Sequence, residues 1–196
     1  MSSKINYQSI LRELLIVFLG VLIAMLLNSW NEKRQEKIQA QNYLDGIYEE
    51  VDLNVKILEK GLVYHQGLLE GLRMEPTETS LSLNPSMVTN FAWKLAENNV
   101  FKENVDKTIY RKLAAAYQMH DFLMGIQINA GDRMSEVNIL SPYYMIGATN
   151  QDPTETDKEE FLIRIKKSWI PVFESWIGIE GHYLNLLKEI AKEKNQ

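Results

Sequence analysis

The sequence predicts an all-α protein: an N-terminal transmembrane helix continuous with a long-helix antiparallel bundle of three long helices plus one short helix. Three observations lead to this fold class. An apolar run from Leu14 to Leu27 contains no charged residue. The long segments after it place apolar residues alternately three and four positions apart, which is the spacing of a coiled coil or bundle helix. Turn-forming residues separate these segments into helices of similar length, which favours antiparallel packing.

The first element is the apolar anchor. A membrane-spanning helix needs roughly 20 mostly apolar residues, and residues 10–30 meet that length, preceded by a short tail over residues 1–9. Trp30 suits the membrane–water interface, and Arg12 can extend its charge outward at the other end. A cleaved signal peptide and a buried soluble helix are the alternatives. Asn28 follows the run where a cleavage site needs small residues, so the sequence favours an uncleaved anchor.

The charges that flank the anchor nearly balance. Basic residues on the two sides are Lys4 and Arg12 before it and Lys33, Arg34 and Lys37 after it, offset by Glu13, Glu32 and Glu36. The positive-inside rule therefore gives only a weak orientation. We expect a single-pass protein of a bacterial inner membrane, with its short N-terminus inside and its C-terminal domain in the periplasm.

Composition limits the function classes. The chain of 196 residues has 21 Lys and Arg against 26 Asp and Glu, a net charge of −5. This acidic balance disfavours nucleic acid and polybasic binding to anionic lipid. The absence of cysteine excludes disulfides, thiolate metal sites and a thiol nucleophile.

The first extramembrane helix is predicted over residues 31–73. Its apolar seam consists of Leu44, Tyr48, Val51, Val55, Leu58, Leu62, His65, Leu69 and Leu72. Glu49, Glu50 and Asp52 fall between these positions and are predicted on the solvated face. A loop follows over residues 74–84, and Asn84-Pro85 favours a helix start with asparagine as the cap.

The remaining helices are predicted at 85–97, 104–140 and 156–193. Thr154 or Thr156 can cap the last one through a capping box with Asp157 or Glu159, and Pro171 should kink it. Alternating helix directions would place the 141–156 loop near the membrane. Tyr143, Tyr144, Met145 and Ile146 would then contact lipid headgroups or a neighbouring subunit.

Catalytic and metal-binding patterns do not stand out. Di-metal bundles use Glu-x-x-His, but the residues three before His65, His120 and His182 are Leu62, Tyr117 and Ile179. His65 and His120 fall on core-facing seams and could meet as a hydrogen-bonded pair. Trp93, Trp169 and Trp176 are expected in the core. We therefore predict no cofactor, no metal and no enzyme activity.

The polar cluster after the anchor is the most unusual feature of the sequence. It comprises Asn28, Ser29, Trp30, Asn31, Glu32 and Arg34. One interpretation is an interfacial exit from the bilayer. The other is a contact between subunits at the membrane surface, because side-chain amides stabilise helix–helix contacts there.

The segment GVLIAMLLNSWNEKRQEK resembles the signature of an uncharacterised family of small bacterial membrane proteins. Gly20, Leu22, Ile23, Ala24, Asn28, Trp30, Asn31, Glu32 and Arg34 match its pattern. The stretch from Phe91 to Tyr117 is similar to a second, weaker pattern of the family. The family's basic N-terminal tails imply an N-terminus inside the cell, and the short, weakly basic tail here softens that implication. The resemblance supplies no catalytic residues.

These observations favour a membrane-anchored interaction, scaffold or accessory subunit. Its expected partners are the lipid bilayer and other envelope proteins or further copies of itself. The expected contact residues are Asn28, Trp30, Asn31, Glu32, Arg34, Tyr143 and Tyr144. The alternative is a sensory or ligand-binding bundle, although one span and a short tail leave little room for an output domain.

Overall fold

A computed structural model describes residues 7–74, 76, 79–81, 83–147 and 154–194, without the side chains of 7–10, 135–147 and 155. All regular structure in these residues is helical, which confirms the all-α prediction. The helices are α1 (Tyr7–Met74), α2 (Phe91–Ala96), α3 (Asn99–Asn104), α4 (Lys107–Gly147), α5 (Glu155–Ser168) and α6 (Ile170–Glu193).

Helix α1 is one uninterrupted helix of 68 residues. It begins inside the predicted tail, at Tyr7, and residues 1–6 lie outside the described residues. Leucines and other apolar side chains of residues 11–27 are exposed, and the first buried side chain is Ala40. From there to Leu72 the helix lines the core. One segment is thus long and apolar enough to cross a membrane, and none of its most apolar window is buried.

Helix α6 packs against both α1 and α4. Helix α6 is antiparallel to α1. Lys194, just after the end of α6, pairs with Asp52 at 3.2 Å, whereas Glu174, near its start, pairs with Arg73 at 2.5 Å. Helix α6 is also antiparallel to α4, because Glu193 forms an ion pair with Lys112, whereas Tyr183, earlier in α6, lies beside His120, later in α4. Hence α1 and α4 point the same way, and the strictly alternating order of the prediction is wrong.

The chain returns along α1 through a non-helical segment, residues 83–90, which we call the strap. The sequence predicts a helix at 85–97; this is wrong for residues 85–90, whereas residues 91–96 are helical as α2. The amide side chain of Asn54 forms hydrogen bonds with both backbone polar groups of Thr89. It accepts from the N–H at 2.8 Å and donates to the C=O at 2.7 Å. Because these groups are bound to α1, they do not form helical hydrogen bonds. Helix begins only with α2.

The next helix boundaries follow local capping. Asn98 accepts from the N–H of Phe101 at 3.0 Å and starts α3, a short helix separate from the predicted one over residues 104–140. Asp106 accepts from the N–H of Thr108 at 2.8 Å and starts α4. Helix α4 then continues to Gly147, past the predicted start of the loop at 141.

The last helical region was predicted closely. Thr154 and Asp157 form the capping box in front of α5, with the hydroxyl of Thr154 accepting from the Asp157 N–H at 3.2 Å. The helix breaks at Trp169, two residues before Pro171. Pro171 has no backbone N–H, so it cannot donate a hydrogen bond to the carbonyl of the preceding turn, and this explains the break.

Candidate functional site

The predicted contact residues nearest the anchor lie together on an exposed stretch of α1. Asn28 donates to Glu32 at 2.8 Å one turn further on. The guanidinium of Arg34 lies 6.0 Å from the ring centre of Trp30. Trp30 is 63% exposed, and Asn31 is exposed beside it. Within the part of the chain that the structure describes, Asn28, Glu32, Trp30 and Arg34 contact residues of their own helix, and their exposed surface is available to a partner.

Tyr143 and Tyr144 lie in the last turns of α4, and their side chains are outside the described residues. Because α4 runs in the same direction as α1, this end of α4 is at the far end of the bundle from Trp30. The structure does not bring the two tyrosines together with Asn28 and its neighbours.

Inside the bundle lies a cluster that sequence reasoning missed, centred on Glu180 of α6. Its carboxylate meets Nδ1 of His65 at 2.8 Å and accepts from the hydroxyl of Ser86 at 2.6 Å. Nε2 of His65 lies 2.9 Å from the backbone carbonyl of Asn84. His65 and Glu180 are fully buried. This Glu180 cluster therefore joins α1, the strap and α6 at one point.

The hydrogen-bond partners of His65 indicate which of its ring nitrogens carry a hydrogen. A carbonyl oxygen can only accept, so Nε2 of His65 carries a hydrogen that it donates to Asn84. One further proton lies between Nδ1 and the Glu180 carboxyl group. The pair is neutral in total, whether written as imidazolium and carboxylate or as imidazole and carboxylic acid. The ring of Trp176 packs against the His65 ring, with 4.6 Å between the ring centres and 41° between the planes.

A second buried carboxylate, Glu50 of α1, lies closer to the anchor. It accepts from the hydroxyl of Tyr117 at 2.5 Å, from the N–H of Ala92 at 2.9 Å and from the hydroxyl of Thr89 at 3.2 Å. Burial, followed by the interaction with Glu50, raises the pKa of Tyr117 well above its usual range. Glu50 thus holds α4, the strap and α2 to α1, and its predicted place on the solvated face is wrong.

The two seam histidines have separate partners. His120 lies 3.0 Å from Asp121 and 3.3 Å from Asn90 through Nδ1, whereas His65 binds the Glu180 cluster. Among the described residues, no three His, Asp or Glu side chains are arranged to hold a metal ion. Trp93, Trp169 and Trp176 are buried, as predicted.

The buried carboxylates left a weak trace in the sequence. The predicted seam of the last helix passes through Ile179, whereas the core contains Glu180 one position later, between Trp176 and Tyr183. The spacing from Trp176 to Glu180 to Tyr183 is also four and then three residues, so Glu180 fits the core-facing seam of the helix. A carboxylate at such a position indicates a buried hydrogen-bond network, because burying it without partners is costly.

This network is closed within the protein: each described carboxylate oxygen of Glu50 and Glu180 is bound by groups of the same chain. These hydrogen bonds hold the strap against α1 and α6. The exposed polar stretch of α1, in contrast, leaves its side chains accessible to a binding partner. Comparisons of the chain with protein-family models, with curated proteins and with solved structures found no match.

Proposed function

We propose that this protein is a single-pass, membrane-anchored helical domain that works as a non-catalytic interaction or scaffold subunit. The observation that carries the proposal is the continuity of α1. One helix exposes an apolar segment over residues 11–27 and then becomes the central helix of the bundle core. An anchored domain built this way is fixed rigidly to its membrane segment.

The exposed apolar segment supports the anchor. Its large apolar side chains are between 42% and 68% exposed, and its most apolar window has a mean hydropathy of 2.1. Monomeric soluble proteins rarely expose contiguous apolar surface of this kind. A core helix would be buried against the bundle, and this segment is not. The helix also continues without a break through Asn28 and Trp30.

We place the protein in a bacterial inner membrane, with the bundle on the periplasmic side. The absence of cysteine and the resemblance of residues 20–37 to the uncharacterised membrane family support this placement. The non-catalytic role is supported by the buried polar groups, because the Glu180 and Glu50 carboxylates are bound by the strap and neighbouring helices. Their arrangement serves packing.

A sensory or ligand-binding bundle is the second candidate. Its supporting observation is that Gln127, Trp169 and Trp176 bury side-chain polar atoms that have no hydrogen-bond partner among the described residues. A small polar ligand could satisfy them. Quenching or shift of tryptophan fluorescence on ligand addition, lost in Gln127→Leu, would favour this candidate.

The test of the first proposal begins with membranes of the native host. Alkaline carbonate should leave the full-length protein in the membrane pellet, and release into the supernatant would refute the anchor. Single cysteines at exposed Gln66 or Glu189 should react with a membrane-impermeant maleimide in intact spheroplasts. Labelling only after lysis would refute the periplasmic placement. Native mass spectrometry in mild detergent should then show stoichiometric subunits, whereas a lone monomer would contradict a scaffold role.

A further inference from the structure

Between the apolar segment and the bundle, the side chains of α1 are exposed. Residues 31–39 are exposed apart from the half-exposed Glu36, and Ala40 is the first buried side chain. At about 1.5 Å per residue this bare stretch is roughly 14 Å long. We call residues 28–42 the stalk. An isolated helical stretch of this length gains no tertiary packing of its own.

One face of the stalk carries no charge. Residues three or four apart on a helix share a face, and the residues on this face are Asn28, Asn31, Gln35, Ile38 and Asn42. We call it the amide face. Ala40, which is buried against the bundle, lies two positions from both Ile38 and Asn42 and so on the opposite side of α1. The amide face therefore points away from the bundle, and its Ile38 is 47% exposed.

Opposite charges border the amide face. With about 100° of rotation per residue, Glu32 lies on one edge of the face and Arg34 on the other. When two parallel helices meet through the same face about a two-fold axis, each edge of one helix meets the other edge of its partner. Glu32 of one copy then faces Arg34 of the second, offset by about 3 Å along the axis. The face is complementary to itself.

The same geometry limits the contact. Beyond Asn42, the line continues through the exposed side chains of Asp45 and Glu49. In a symmetric pair each of these carboxylates would face its own copy, and like charges at such positions repel. The complementary region is therefore confined to the stalk, and the two bundles would separate above it.

From this complementarity we infer that the stalk binds a second copy of this chain through the amide face. The inference rests on the proposed membrane anchor, because insertion in one membrane with one orientation makes the two α1 helices parallel. Asparagine at seam positions favours parallel pairs in a single register. Side-chain amides also form hydrogen bonds between helices near the bilayer. The contact would use Asn28, Asn31, Glu32 and Arg34, the residues singled out after the anchor.

The chain has no cysteine, so single cysteines can report the contact in native membranes. We would compare Asn31→Cys, Gln35→Cys and Ile38→Cys on the amide face with Lys33→Cys and Lys37→Cys on the opposite face. Disulfide geometry needs close Cα atoms, so the amide-face variants should form dimers about tenfold faster under mild oxidation. Equal rates on both faces would overturn the inference, as would cross-links only to a different protein.

Charge reversal provides the second measurement, in the Ile38→Cys background. Glu32→Arg alone or Arg34→Glu alone places like charges across the contact and should slow cross-linking about threefold. The double variant restores opposite charges and should restore the rate. A double variant as slow as the single variants would overturn the inference. Carbonate extraction of the same membranes separates the two proposals: release refutes the anchor, whereas retention with face-independent cross-linking refutes only the pairing.

Discussion

Replacement of Glu180 tests whether its hydrogen bonds or its charge stabilise the bundle. Glu180→Ala leaves Nδ1 of His65 and the hydroxyl of Ser86 buried without partners. Each orphaned group costs about 1–3 kcal/mol, and the cavity adds to this loss. Breaking a buried pair from one side costs about 3–5 kcal/mol in other proteins, and we expect a loss in that range here.

Glu180→Gln should behave differently. The amide oxygen can accept from Ser86, and the amide nitrogen can donate to Nδ1 of a neutral His65. Nε2 of His65 then still donates to the carbonyl of Asn84, so every hydrogen bond of the cluster is kept. We expect a loss below about 1.5 kcal/mol, the scale of exchanging one hydrogen bond for another.

The assay is urea unfolding of the full chain in mild detergent, followed by tryptophan fluorescence. Trp176 is a suitable probe because its ring lies 4.6 Å from that of His65. Glu189→Ala, at an exposed position of the same helix, is the control and should change stability by no more than about 0.5 kcal/mol. If Glu180→Gln costs as much as Glu180→Ala, the hydrogen bonds of Glu180 are not what stabilises the bundle, and its charge is.

Two further predictions concern the strap and Tyr117. A Cβ at Gly61 would lie 1.9 Å from the hydroxyl oxygen of Ser86, whereas one at Gly67 would meet nothing within 4 Å. In urea unfolding, Gly61→Ala should therefore destabilise the fold by about 1–3 kcal/mol, and Gly67→Ala should stabilise it by up to about 1 kcal/mol; equal effects would contradict this packing. Because the pKa of Tyr117 is raised in the folded state, stability should fall as pH rises above about 10, where unfolded tyrosines ionise. In Tyr117→Phe that fall should be shallower, while stability at pH 7 drops by about 1–3 kcal/mol because Glu50 loses a donor; an unchanged alkaline slope would refute the assignment.

The parts of the fold that depend on local chemistry were predictable from the sequence. The apolar run, the three-four seams, the capping box at Thr154 and the break before Pro171 each act within a few residues. They determine where helices lie along the chain, and α1, α5 and α6 follow them closely.

The parts that depend on distant partners were not predictable in this way. Asn84-Pro85 has the local features of a helix start, but Asn54, more than 30 residues earlier, binds the strap backbone at Thr89. Similarly, Glu50 is polar and was assigned to solvent, although Tyr117 and the strap bury it. Helix direction was misjudged because the strap, α2 and α3 already return the chain before α4 begins.

The pairing of α1 with α6 has a consequence for synthesis of the protein. The contacts of Glu180 with His65 and of Lys194 with Asp52 join residues 115 and 142 positions apart. A chain emerging from the ribosome exposes the polar core positions of α1 long before α6 exists to bind them. Loop closure over such separations is slow, and the domain can close only after α6 has been synthesised. Chains truncated before Ile170 should therefore remain open and be targets for proteolysis.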